Sequence, residues 1–376
     1  MNLRQLIAYR FFVYRAYDEY KKRIYWFFGT LEKKLRSLRK PSIKLVAIAK
    51  NEACYLPEWI GHHLFFGFDQ ISIYVNNTSD NTTEIERKLR SLSTVEFCDG
   101  DKFFTPGVDI PQTEIYAYEI KRSRKQGFSH VLFLDIDEFW TPLNLATTVK
   151  EFIAKRKADV ICFEWINRTN ELKPFLPSIE PTIEGIKGNH VKSLISTQVM
   201  VEAINPHSVL AYKAEHQLVD GSTYSVDQDN FAKISLEQVN SPVKEIFILH
   251  RMYRSQEEYV ALLMRGRPIQ NRLYADLFKT NRSGYIPNSP KVKLNFEIEA
   301  VERYKIFMKN FFSNYQLQEE IEQGKQFIMK KRDEVCQIIL DSPQECLPLF
   351  TKIFTRVTLP DVNKALKQFK SKFDSN

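Results

Sequence analysis

The chain contains no run of about 18 apolar residues, the length a membrane-spanning helix requires, so no transmembrane anchor is expected. Its first residues also lack the uninterrupted apolar core and small-residue cleavage site of a secretory signal. Cysteine is scarce. Cys54, Cys98, Cys162, Cys336 and Cys346 are odd in number, far apart and without CxxC spacing, which argues against a disulfide framework or a cysteine zinc site and fits free thiols in a reducing cytosol. There is no internal repeat, no low-complexity tract, and no glycine-rich phosphate loop after the first expected strand.

What is present supports a folded body: 376 residues, 43% apolar and 13% aromatic, enough for one large α/β domain with extensions or two ordinary domains. The net charge of +8 is an appendage's. Residues 1–41 hold eleven Lys and Arg against three acids, and the remainder balances at 43 basic and 43 acidic residues, so no nucleic-acid partner is expected. In that arm Leu3, Leu6, Ile7, Phe11, Tyr14 and Tyr25 to Phe28 are interleaved with Lys and Arg. This pattern suits a helix lying on an anionic membrane surface, which would place the protein in the cytoplasm, peripheral on the inner face of a membrane. A helix packed on its own body or on a second copy would carry the same pattern.

After Pro41-Ser42, Ile43 to Ala49 reads as a central parallel strand. A helix follows, with Asn51 as expected cap and apolar residues from Leu56 to Leu64. Gln70 to Val75 reads as a second strand, Asn76 to Thr82 as a polar turn, Thr83 to Leu92 as a short helix capped by Thr83, and Val95 to Cys98 as a third strand. Residues 110–126 predict a helix ending at Gly127, and His130 to Leu134 a buried fourth strand. Strand and helix in alternation predict a parallel sheet that binds ligands at its strand carboxyl ends. Asp159 to Trp165 and Glu245 to Leu249 read as further strands, residues 166–300 are otherwise mixed, and helical periodicity sets in beyond Phe296.

The fourth strand runs into Asp135-Ile136-Asp137-Glu138-Phe139-Trp140. In an extended chain residues i and i+2 point the same way, so Asp135 and Asp137 would face one ion, and hard oxygen donors select Mg²⁺ or Mn²⁺. Two carboxylates capping a buried strand repel one another unless a cation lies between them. Lys50, Asn51 and Glu52 follow the first strand, and Asn76, Asn77, Ser79 and Asp80 the second, offering polar groups to a nucleotide; each is also ordinary turn chemistry. Lys192, Arg254 and Arg265 are cations that could meet phosphate, or ordinary surface charges. His62 and His63 are expected to pack inside rather than to catalyse.

Lys50-Asn51-Glu52, Glu58-Trp59-Ile60-x-His62-His63, Gly67-Phe68-Asp69, Tyr74-x-Asn76-Asn77-x-Ser79-x-Asp80-x-Thr82 and Phe133 to Phe139 resemble, in order, the glycosyltransferase family 2 and family 92 group. His190 to Ile195, Pro206-His207, His250, Arg254-Ser255 and Arg265-Gly266 continue the match, which covers about residues 43–270 and departs at Arg251, where tyrosine usually follows the histidine. The resemblance implies an α/β GT-A fold: a mostly parallel, Rossmann-like sheet flanked by helices over 42–295, with a nucleotide-sugar half at 42–165 and an acceptor half at 166–295. A basic amphipathic arm (1–41) precedes it and a helical extension (296–376) follows. It further implies a divalent-metal-dependent, inverting transferase using a nucleotide sugar, usually a UDP-sugar, and a glycan or lipid-linked acceptor, as in polysaccharide biosynthesis. Lys50, Asn51, Glu52, Asn77, Asp80, Asp135 and Lys192 would then lie near the donor. Asp135 and Asp137 would hold Mn²⁺ or Mg²⁺, with His207 or His250 as a further ligand. Asp220, Asp227 and Asp229 are the acids available as base. The C-terminal helices could also join two copies.

Other classes share some of these features. A haloacid dehalogenase-type phosphatase carries its Asp-x-Asp after the first strand rather than the fourth. A nucleotidyltransferase would be expected to have a glycine-rich loop, and a membrane-bound scaffold with a degenerate transferase fold would have no need of both aspartates.

Overall fold

A computed structural model describes residues 22–23, 40–105, 110–224, 231–264 and 277–373. The arm expected over 1–41 thus lies almost wholly outside the described residues, as do Asp227, Asp229 and Arg265.

The first half runs β1 (Ile43–Ala49), α1 (Leu56–Phe65), β2 (Gln70–Val75), α2 (Thr82–Leu89), β3 (Val95–Asp99), α3 (Pro111–Gln126) and β4 (His130–Phe133). Its strands pair in parallel in the order β3-β2-β1-β4, as alternating apolar strands and crossover helices predict. β1 is buried along nearly its whole length, Lys44 included, whose ammonium pairs with Glu119 at 2.9 Å and Glu96 at 3.3 Å. α3 stops where Gly127 takes φ +88°, a left-handed turn that glycine adopts without strain.

Two expected caps are corrected. α1 begins after Tyr55, and Asn51, four residues earlier, makes no cap; its side chain is engaged with the next loop. α2 starts one residue before Thr83 and ends at Leu89, with Asp80 accepting from the Thr82 amide at 3.1 Å.

The second half comprises β5 (Glu138–Pro142), α4 (Val149–Ala154), β6 (Val160–Arg168), β7 (Thr182–Ser196), β8 (Val201–Ile204), β9 (Val209–Ala211), β10 (His216–Leu218), α5 (Leu236–Asn240), β11 (Ile246–His250), α6 (Gln256–Leu263) and β12 (Val292–Asn295). β7, which the sequence pattern does not resolve, is a 15-residue strand inserted antiparallel between β4 and β6. Gly185 is demanded there by crowding: a Cβ would come within 2.6 Å of the Ile166 side chain, beside the register slip between Glu164 and Ile166. The main sheet follows the order β3-β2-β1-β4-β7-β6-β11-β5, parallel through β4 and mixed beyond, and five of its nine strand pairs are parallel. β10 and β11 divide one edge of β6, β10 along Val160–Cys162 and β11 along Trp165–Asn167.

Beyond Phe296 the chain is helical, as its periodicity predicts: α7 (Ile298–Asn314), α8 (Gln318–Asp341), α9 (Leu347–Ile353) and α10 (Pro360–Ser371). α7 lies on α1, where Gly61 leaves room for Met308 and the Tyr304 hydroxyl meets His62 Nδ1 at 3.1 Å. His62 and His63 are both buried, bonded to the Trp140 and Trp59 carbonyls, so they pack as expected. Val335 and Ile339 of α8 and Val362, Ala365 and Phe369 of α10 are buried together with Tyr259, Val260 and Leu263 of α6. These side chains of α8 and α10 thus pack within the chain. Among the described residues no helix is long and apolar enough to cross a membrane.

Candidate active site

The carboxyl ends of β1 and β2 bring two polar loops side by side. Asn51 and Asn77 take φ +54° and +40°, a region asparagine tolerates better than most residues. The Asn51 Oδ1 accepts from the Ser79 amide at 2.7 Å and the Thr78 hydroxyl at 3.1 Å; Asp80 accepts from the Ala53 amide at 2.8 Å and the Thr82 hydroxyl at 2.6 Å. Asn51 and Asp80 thus tie the loops to each other. Lys50, Asn51, Glu52, Asn77 and Ser79 form the polar side of a cavity of about 290 Å³.

Further lining residues carry no sequence motif. Ala261, Leu262 and Met264, at the end of α6, and Phe327, Ile328 and Lys331 of α8 complete the cavity, together with Tyr55, Glu258 and Arg254. Arg254 is buried, its guanidinium 3.4 Å above the Tyr55 ring and 3.6 Å from Glu52 Oε2, and its backbone is left-handed at φ +53°. An arginine in that region is uncommon, and backbone strain of this kind gathers at binding sites.

Asp135 and Asp137 stand at the tip of β4, as predicted, but on a turn rather than an extended strand, and the i, i+2 argument does not govern them. They have different partners. Asp135 Oδ2 meets Lys192 Nζ at 3.2 Å, and its Oδ1 accepts from Gln112 at 3.3 Å. Asp137 Oδ2 faces His250 Nε2 at 3.6 Å. Burial alone would raise the Asp137 carboxyl, but His250, Arg254 and Arg282 outweigh it and hold it well below the usual carboxylate range. Lys192 is fully buried, and its ammonium also reaches Glu138 Oε2 and the Pro206 carbonyl, each at 3.0 Å. Burial works against that charge; Asp135 and Glu138 more than restore it. With its three N–H groups so directed, Lys192 pins the turn to β7.

His250 closes β11 and packs on Trp165, its Nδ1 held by Asn167 Oδ1 at 3.0 Å. An amide oxygen only accepts, so Nδ1 carries the hydrogen and Nε2 faces Asp137 across a gap too long for a hydrogen bond. An imidazole whose one nitrogen donates to a fixed oxygen has its ring plane set, and in its neutral form presents the other nitrogen's lone pair to a metal. His207 lies on Trp165 and His190, and burial, then Lys192, pull its pKa to about 3, so its ring is neutral. Among the described residues no three His, Cys, Asp or Glu side chains are grouped to hold a metal ion unaided. The Asp137 and His250 pair fits a divalent cation whose remaining positions come from phosphate oxygens and water.

Of the three base candidates only Asp220 is among the described residues. Asp220 bonds the Ser222 hydroxyl at 2.6 Å and Lys244 at 2.5 Å, and these outweigh burial to hold its carboxyl at about 2. Lys244, the partner of Asp220, precedes β11 by two residues. Arg251, the departure from the family pattern, is buried and bonded to Glu171 at 2.9 and 2.5 Å and to Glu58 at 3.0 Å, clamping β11 to α1.

No protein-family model matches the chain, and no curated protein does. Among solved structures it is similar to the apo structure of WbbM, a bifunctional glycosyltransferase, at 15% identity and a TM-score of 0.26, over 34% of this chain and 23% of that one. It is also similar to residues 1–349 of TarS from S. aureus, at 14% identity and a TM-score of 0.25, over 88% of this chain and 82% of that one. A third is HddC from Yersinia pseudotuberculosis, at 11% identity and a TM-score of 0.28, over 46% and 88%. The chain thus spans less than a quarter of WbbM's length.

Proposed function

We propose that the protein is a divalent-metal-dependent glycosyltransferase that moves a sugar from a nucleotide donor, a UDP-sugar by the family resemblance, to a glycan or lipid-linked acceptor with inversion. The observation that carries this reading is that Asp137 and His250 stand at the strand ends that also border the 290 Å³ cavity, with buried Arg254 lining that cavity and its charge acting on Asp137. In this reading Asn51 and Asp80 hold the two loops in place, and Lys50, Asn77 and Ser79 present polar groups to the nucleoside. Lys192 sets Asp135, and Asp137 with His250 takes Mn²⁺ or Mg²⁺. The bound ion would neutralise charge growing on the departing diphosphate.

The acceptor hydroxyl must lose a proton on the face opposite the leaving group. Asp220, Asp227 and Asp229 are this reading's base candidates. An anionic membrane surface remains the proposed partner of residues 1–41.

The test is release of nucleoside diphosphate from a panel of nucleotide sugars with Mn²⁺ or Mg²⁺, with and without EDTA. Turnover of one donor, lost in a folded Asp137→Ala variant, is expected. Absence of binding and turnover across the panel would favour the scaffold reading instead.

A further inference from the structure

α8 begins more than 45 residues beyond the segment that carries the family resemblance, yet it forms one side of the donor cavity. Its docking is specific. Gly324 lies against the loop after β1 so closely that a Cβ would meet the Cys54 amide nitrogen at 2.5 Å and Cα at 2.8 Å. One turn earlier the Glu320 carbonyl accepts from the Asn81 side chain at 2.8 Å, and the Glu320 carboxylate pairs with Lys88 at 2.6 Å. Both of the loops that line the cavity are thus fastened to this helix.

Helical spacing carries the contact from that seat to the cavity. Residues three, four and seven beyond Gly324 share its face, and these are Phe327, Ile328 and Lys331, all on the cavity; one further turn on, Val335 is buried in the helical core. The stripe is glycine where the helix touches backbone, aromatic and aliphatic where the cavity opens, and aliphatic again where it packs. Phe327 and Ile328 are half-buried and line the same cavity as Asn51, Asn77 and Ser79. A cavity lined by both hydrogen-bonding groups and an aromatic side chain matches a heterocyclic base, which has polar edges and an apolar face.

Resting on the donor reading above, we propose that α8 is part of the nucleotide site, with Phe327 as the residue that covers the base of a nucleoside diphosphate and Gly324 as the seat that positions it. Aromatic cover is a specificity device: it acts on the base and not on the phosphates.

The experiment is calorimetric titration of the full chain with UDP, UMP and inorganic pyrophosphate in the presence of Mn²⁺, with ADP and GDP as competing bases. Phe327→Ala should weaken UDP and UMP alike by about tenfold or more, the scale of one lost base-to-aromatic stack, and leave pyrophosphate unchanged. Phe327→Trp should restore binding, an outcome a purely structural phenylalanine would not give. Gly324→Val should weaken UDP at least as much, since α8 must then move off Cys54. Wild-type affinity for UDP in a folded Phe327→Ala variant overturns this inference and leaves the transferase reading standing. Failure of the wild-type chain to bind any of the nucleotides overturns both.

Discussion

The guanidinium of Arg254 lies over the Tyr55 ring, 3.4 Å from its centre, and so joins the loop after β11 to the loop after β1 across 199 residues of sequence. Glu52 stands 3.6 Å away as its counter-charge, and all three side chains are buried. A buried cation held on an aromatic face beside a carboxylate is fixed in place by both.

Arg254→Ala should destabilise the protein by about 3–5 kcal/mol, because it leaves Glu52 buried without its cation. Arg254→Lys keeps the charge but loses the planar stack and should cost about 1–2 kcal/mol. Urea denaturation measures both. An alanine variant within about 1 kcal/mol of wild type would mean the pair is solvated.

Lys192 answers two carboxylates at once, so removing it should be worse than removing it together with one partner. Lys192→Met is expected to cost about 3–5 kcal/mol, and Lys192→Met with Glu138→Leu to recover much of that loss, since apolar replacement of a whole buried pair is often neutral. Donor turnover should fall in both, as Asp135 loses its anchor. Equal stability of the single and double variants would show that Glu138 and Lys192 are not coupled.

His62 gives a pH signature. Burial first, opposed by its bond to the Trp140 carbonyl, lowers its pKa to about 3 from an unfolded value near 6.5. The folded chain holds it neutral while the unfolded chain binds a proton, so its contribution to stability is full above pH 6.5 and is lost progressively as the pH falls toward 3. Between pH 7 and pH 5 this amounts to about 2 kcal/mol from His62 alone. His63, also lowered by burial, adds in the same direction. Denaturation at pH 7, 6 and 5 should give a shallower slope for His62→Gln; parallel slopes would disprove the assignment.

Metal and nucleotide should depend on each other. With Asp137 and His250 the pair directed at one another among the described residues, Mn²⁺ alone is expected to raise the melting temperature little. Mn²⁺ with UDP at about 100 times its dissociation constant should add about 2.7 kcal/mol, reversed by EDTA. Tight binding of Mn²⁺ without nucleotide would point to a third protein ligand.

Much of the architecture is legible from local pattern. Ile43 to Ala49 is apolar on both faces and becomes a buried strand, Gly127 ends its helix, and Asp135 and Asp137 emerge at the tip of the fourth strand. β7 escapes such a reading because glycines, lysines and a histidine break its alternation; its place between β4 and β6 comes from pairing with strands far away in sequence. Asn51 reads as a cap because asparagine so often caps, and only the approach of Ser79 gives its carbonyl a better donor.

Local sequence was enough to set the alternation of strand and helix, the polar loops at the strand ends and the acidic tip of β4, because each depends on side-chain period and on neighbours a few residues apart. Packing at long range settled the rest: that Lys192 would hold Asp135, that Arg254 would lie on Tyr55, that Asp220 would pair with Lys244, and that α8 would wall the cavity. Those partners are separated by tens to hundreds of residues, and a contact of that range exists only once buried surfaces have brought the elements together.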